Sequence, residues 1–374
     1  MLRNPHWTSS RRWVPLYRMY PASLLALLLG SLFMPIPVVA DSTDHWQRLT
    51  QEGMAAREQA RYTEAEQLFL TADQELERSG PTDERVATTL NNLGLVYHEQ
   101  GQHARAKSHY ERALAIWEQV GGAEHTDVAT SLHNLAELYL QEGELEWAEA
   151  YYLRSLAIGE RVLGAGHPQL AFGYNGLGLL YRRQGQLVRA EARFHVALVL
   201  LERRDGAESA ELAPVLNNLA SLYKEKELYV FAEPLYQRAL TIRRARHGDH
   251  HPAVALSLNN LANLYHAQGL FEYADQRYRE AFASNETASE PAEGLRGSIL
   301  RNWALLTHER GLLEEARFRY EQALVIQQQT LGRSHPMVAV LLDRYAGLLR
   351  DLGQPLQAGL VATRASAIRT QPSK

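Results

Sequence analysis

Leu90-Asn91-Asn92-Leu93-Gly94-Leu95-Val96-Tyr97 returns along this chain at a fixed step of 42 residues. The copies are Leu132-His133-Asn134-Leu135-Ala136-Glu137-Leu138-Tyr139, then 174–181, 216–223 and 258–265, with weaker ones opening at Leu300 and Leu342. Leu90, Leu93, Gly94 and Tyr97 fall at i, i+3, i+4 and i+7, one face of a helix. A strict period of this size means stacked supersecondary units around one extended core, so function belongs on a surface rather than in a pocket.

Outward from that stretch, each copy breaks at a glycine: Gly101, Gly143, Gly185, Gly269, Gly311 and Gly353, with Glu227 the exception. A second helix follows, marked by Ala106, Tyr110 and Ala113 in the first copy. Its alanine recurs as Ala148, Ala190, Ala232, Ala274, Ala316 and Ala358, and its aromatic as Tyr152, Phe194, Tyr236, Tyr278 and Tyr320, until Ala362 breaks the series. The unit is a helical hairpin in which small residues such as Gly94 and Ala106 let the backbones approach while tyrosines fill the space beside them. One hairpin cannot bury both faces of its helices, so each must stack on the next.

The composition of these segments, rich in Leu, Ala, Glu, Gln and Arg, argues against a propeller of short strands. HEAT and armadillo repeats have a similar period but lack the order L-x2-[LG]-x2-Y…A-x3-[FY]-x2-A. That order resembles the tetratricopeptide repeat, whose helices here would be lengthened by roughly two turns in all. Gly164-Ala165-Gly166-His167-Pro168, Gly248-Asp249-His250-His251-Pro252 and Gly332-Arg333-Ser334-His335-Pro336 share G-x-x-H-P, and Gly122-Ala123-Glu124-His125-Thr126 keeps its His. With L-N-N-L-A and A-E-x-x-Y-x-R-A-L, these turns are similar to the kinesin light chain type of tetratricopeptide repeat. The resemblance implies an all-α, right-handed superhelical solenoid of about eight hairpins over about residues 45–370. Its units fall near 45–82, 83–124, 125–166, 167–208, 209–250, 251–292, 293–334 and 335–370, with a tail at 371–374. The polar Gln47-Arg48-Leu49-Thr50-Gln51-Glu52 and the altered start at Pro355 suit capping units at the two ends.

Residues 1–40 are of another kind. Arg3, Arg11, Arg12 and Arg18 precede an apolar stretch at 22–34, and Val38-Val39-Ala40 offers small residues before Asp41. This is the layout of a secretory signal cleaved after Ala40, and it implies a periplasmic or secreted protein. The alternative is an inner-membrane anchor retained at 22–34, although a spanning helix needs about 20 apolar residues. The chain has no cysteine, which excludes disulfides, thiolate chemistry and a lipid-bearing cysteine. Loss of the four leader arginines takes the net charge from −4 to −8, which argues against general nucleic-acid or anionic-membrane binding.

In tetratricopeptide arrays the residue after the leading Leu, and those four, seven and eight further on, line the concave side. Carried over, the first position gives Asn91, His133, Asn175, Asn217, Asn259, Arg301 and Asp343. An asparagine column can donate to and accept from an extended peptide backbone, or it can bond to neighbouring helices and shape the array. The position seven further on gives His98, Leu140, Arg182, Lys224, His266, His308 and Arg350, with Arg183 adding a charge beside Arg182. That column either attracts carboxylates or pairs with the adjacent Glu99, Glu225, Glu309 and Asp351.

No Walker loop, G-x-S-x-G, dinucleotide fingerprint or zinc-protease motif occurs, so neither an enzyme nor a small-molecule substrate is expected. The turn histidines repeat once per unit and do not converge, so no metal or other cofactor is expected either. The reading is a scaffold whose partner is a protein or peptide held in the groove, with a membrane involved only if the leader is retained. Self-assembly, or regulation in trans of a signalling ATPase or protease, are the competing readings.

Overall fold

The computed structural model describes residues 42–76, 80, 82–206 and 208–370; the leader at 1–40 and the tail at 371–374 lie outside the described residues. Among the described residues the chain forms sixteen helices and no strand. They run as eight hairpins. The first four are α1 Ser42–Glu58 with α2 Tyr62–Leu76, α3 Glu84–Glu99 with α4 His103–Val120, α5 Thr126–Glu142 with α6 Leu145–Leu163, and α7 Leu170–Arg183 with α8 Leu187–Asp205. The others are α9 Leu212–Glu225 with α10 Tyr229–His247, α11 Pro252–Ala267 with α12 Phe271–Glu286, α13 Glu293–Glu309 with α14 Leu313–Leu331, and α15 Pro336–Asp351 with α16 Pro355–Thr370. No helix among the described residues is long and apolar enough to cross a membrane.

Local chemistry sets both ends of each hairpin. The tight turn needs a left-handed residue, supplied by glycines such as Gly143 at φ 85° and, in their absence, by Glu227 at φ 59°. Before α5, α11 and α15 the turn between units ends in a histidine whose role is capping. Nδ1 of His125, His251 and His335 accepts the backbone N–H of Asp127, Ala253 and Met337 at 3.3, 3.1 and 3.1 Å. Pro252 and Pro336 then occupy the first helical turn, where no donor is lost. The recurring G-x-x-H-P is therefore a helix-start signal, and the cap works only while Nδ1 keeps its lone pair.

The second-helix aromatics Phe69, Tyr110, Tyr152, Phe194, Tyr236, Tyr278 and Tyr320 are buried. Each rests on the partner helix where that helix is small: a Cβ on Gly94 would lie 2.5 Å from the Tyr110 ring, and one on Gly178 2.5 Å from Phe194. Removing one such ring would cost about 3–5 kcal/mol.

Successive hairpins are also stitched by side chains. Tyr97, Tyr181, Tyr223 and Tyr265 donate from Oη to Glu66, Glu149, Glu191 and Glu233 on the preceding second helix, at 2.8 to 3.0 Å. In the seventh hairpin Thr307 replaces the tyrosine, and Trp303 reaches Asp275 instead, Nε1 to Oδ1 at 2.7 Å. The backbones of neighbouring first helices lie close together from α3 to α15, whereas among the described residues neighbouring second helices stand further apart and reach one another through long side chains, as Arg154 reaches Glu118 and Arg238 reaches Glu202. First helices therefore lie at the inner radius and form the concave face of the solenoid.

Candidate functional site: the concave face

Successive first helices bring residues 43 apart into contact, because the stacking offset adds one to the repeat step. Asn134 Nδ2 donates to Asn91 Oδ1 at 2.8 Å, Asn218 to Asn175 at 2.9 Å and Asn302 to Asn259 at 3.3 Å. The second asparagine of each pair thus locks the first one's oxygen. The amide nitrogens of Asn91, Asn175 and Asn259 carry no hydrogen bond among the described residues, and they remain as donors on the inner face. Asn217 is 7% exposed, and both its amide atoms are buried without a partner.

The ladder is interrupted in two other places. At 133/176 the rung is His133 against Gly176, where any side chain would collide with Tyr152, the nearest ring atom lying 2.4 Å from a built Cβ. His133 instead packs edge-on against Tyr152, with Glu137 at 3.8 Å, and burial pushes its pKa down while Glu137 opposes the shift. At 301/344 the rung is two arginines.

In the column seven residues further on, three of the seven positions are paired across the same offset. Arg182 Nε meets Glu225 Oε2 at 2.8 Å, His266 Nε2 meets Glu309 at 2.8 Å and His308 Nε2 meets Asp351 at 2.7 Å. Arg183 donates to the Leu140 carbonyl oxygen. With Glu137, Leu140, Gln141, Leu179 and Glu225, these two arginines line an open hollow on the inner face. His98 sits edge-on to Tyr110, its Nε2 buried without a partner, beside a Glu99 carboxyl raised by burial.

Lys224 and Arg350 have no ion pair among the described residues. Burial, and then the charge of Arg182, push the Lys224 ammonium below its ordinary pKa. Arg301 is likewise pushed down, by burial first and then by Arg344. Arg344 is absent from the groove positions derived by repeat analogy, which took Asp343 at that step. The signal was nonetheless in the sequence, because Asn92, Asn134, Asn218, Asn260 and Asn302 lead by the same step to Arg344. No group of three or more His, Cys, Asp or Glu side chains is placed to hold a metal ion among the described residues.

The tetratricopeptide repeat profile matches residues 48–119, 85–158, 127–203, 211–287 and 295–371. This chain belongs to the tetratricopeptide repeat family. A search of curated proteins finds no match. Among solved structures, a tetratricopeptide repeat protein from Parabacteroides merdae is 20% identical and covers 76% of this chain and 93% of its own, at a TM-score of 0.51. The apo form of RapI is 17% identical, with 76% and 97% covered, at a TM-score of 0.55. A Podosopora anserina putative kinesin light chain with nearly identical repeats is 23% identical, with 55% and 98% covered, at a TM-score of 0.47. Tetratricopeptide folds of this kind are typical of protein–protein interaction scaffolds, and the matched family is a repeat family rather than an enzyme family.

Proposed function

We propose that this tetratricopeptide array is an exported, non-enzymatic scaffold that holds an extended segment of a partner protein along its concave face. The observation that carries the reading is the row of half-engaged asparagines: Asn91, Asn175 and Asn259 have their oxygens fixed and their N–H groups unspent. Donors repeated at every second hairpin suit backbone carbonyls of an extended chain, whatever its side chains. Lys224, half-buried on the same face with no hydrogen-bond partner among the described residues, adds a charge midway along the row. Export follows from the three-part layout of residues 1–40.

The test uses the full array immobilised to isolate its partner, followed by affinity measurement with Lys224→Glu. The expected result is binding at least about ten-fold weaker with an unchanged melting temperature. Unchanged affinity would reject the groove. The mass of the protein recovered from cell fractions tests export, since a chain beginning at Asp41 in the soluble exported fraction is the expected product.

One observation favours self-assembly as a second reading. Near the hairpin turns Trp147, Phe231 and Tyr273 are 57%, 58% and 59% exposed, and Val230 is 83% exposed. Exposed apolar positions repeated along one edge suit contact with another copy. Light scattering separates the readings, because a monomer at high concentration rejects self-assembly.

A further inference from the structure

Between the third and fourth hairpins the array gives up side chains that its other seams keep. On α6 the position held elsewhere by Trp117, Leu201, Arg243, Asn285 and Gln327 is Gly159. On α7 the position held elsewhere by Ser131, Val215, Ser257, Ile299 and Leu341 is Gly173. Both glycines sit inside their helices and serve no turn, so they weaken the helix without using their backbone freedom. Leu170 and Leu156 lean onto them, 2.6 and 2.8 Å from where a Cβ would stand. An open hollow of about 410 Å³ results, lined by α5, α6 and α7. That volume falls within the range of small-molecule sites, about 300–1,000 Å³.

The walls are of two kinds. One carries an aromatic ring: Phe172 is 47% exposed, at a position that is Thr130, Pro214, Leu256, Ser298 and Val340 in other hairpins. The other kind is polar and neutral. The side chains of Thr126, His133 and Gln169 line the hollow and make no hydrogen bond among the described residues. Thr130 gives its proton to the Thr126 carbonyl at 3.2 Å and keeps its lone pairs for another donor. Burial holds the His133 imidazole in its neutral form around neutral pH. The one carboxylate of the lining, Asp127, meets His125 at 3.3 Å, and no lysine or arginine lines the hollow.

With no free charge on its walls, the hollow suits neither an anion nor a cation. A molecule with a face of C–H groups and an edge of hydroxyls meets both kinds of wall. Its hydrogens pack on the electron-rich face of Phe172, and its hydroxyls exchange hydrogen bonds with Thr126, Thr130, His133 and Gln169. We propose that this hollow binds a neutral saccharide, with one sugar ring stacked on Phe172. The site stands apart from the partner-segment reading, since Asn91, Asn175 and Asn259 do not line it.

The test titrates the full array by calorimetry with glucose, galactose, N-acetylglucosamine and their 1,4-linked disaccharides. The expected result is that at least one of them binds with a Kd of about 0.1–1 mM. Phe172→Ser, which carries the residue of the seventh hairpin at this position, then binds it at least about ten-fold more weakly at an unchanged melting temperature. Should that variant fail to fold, Thr126→Val keeps the shape, drops the hydroxyl and weakens binding about three- to ten-fold. No binding of any of these sugars at about 10 mM overturns the site. Equal affinity for wild type and Phe172→Ser overturns it as well. Binding of N-acetyltryptophanamide in place of every sugar would assign the hollow to an aromatic side chain and overturn the saccharide.

Discussion

The seam between α7 and α9 and the seam between α13 and α15 use the same two positions for opposite ends. At the first, Asn218 Nδ2 closes on Asn175 Oδ1 at 2.9 Å, and the two helices are tied through their inner faces. At the second, Arg301 and Arg344 hold those positions, and neither has an ion pair among the described residues. A repeat protein supplies its own control, since the ordinary solution of each position is visible a few hairpins away. Departure from it at a cost in stability is what a binding site requires, because groups kept free for a guest cannot also be satisfied within the fold.

The comparison can be tested from its largest expected effect downward. Gly176→Asn would supply the residue that most rungs carry, yet it drives a side chain into Tyr152 and should destabilise the array by about 1–3 kcal/mol in urea titrations. Full tolerance would mean that packing does not forbid that rung. Asn218→Ala should cost about 1 kcal/mol by leaving the Asn175 oxygen unpaired, and no cost would make the ladder ornamental. Arg301→Asn/Arg344→Asn should move stability the other way, raising it by about 1 kcal/mol as repulsion is replaced by a hydrogen bond. A fall in melting temperature would show that the arginines are structural.

His133 titrates the comparison. Burial lowers its folded pKa, so the unfolded chain takes up a proton more readily. The stability this neutral ring confers is present above the ordinary histidine value of about 6.5 and lost as pH falls from there towards the lower folded value. His133→Asn should flatten that acid loss in melts run between neutral and mildly acidic pH, and an unchanged profile would assign the loss elsewhere. The smallest effect belongs to Glu225→Gln. Its pair with Arg182 is partly exposed, so stability should change by less than about 0.5 kcal/mol in urea titrations, and a larger loss would make the pair a structural tie between α7 and α9.

Much of the fold was legible in the residues. The step between Leu90 and Leu132, the glycine breaks and the Ala-x3-Tyr spacing specify a stacked hairpin, because a helix can bury a stripe only at that period. The role of the turn histidines was not legible, since capping depends on the side chain folding back two residues onto a backbone N–H. The inner-face columns were readable as columns, but not their contents. Arg182, His266 and His308 look alike in sequence to Lys224 and Arg350, and pairing separates them.

The sequence by itself determined the hairpin, its repetition and the residue types on each face, because these follow from local periodicity and from which side chains can share a helix stripe. Only the tertiary structure decided the partners. Stacking meets residues 43 apart instead of 42, and that single added residue sets which asparagine locks which, which arginine finds a glutamate, and that Arg301 finds Arg344. The offset arises from how one hairpin leans on the next, a property of packed pairs that no single unit encodes.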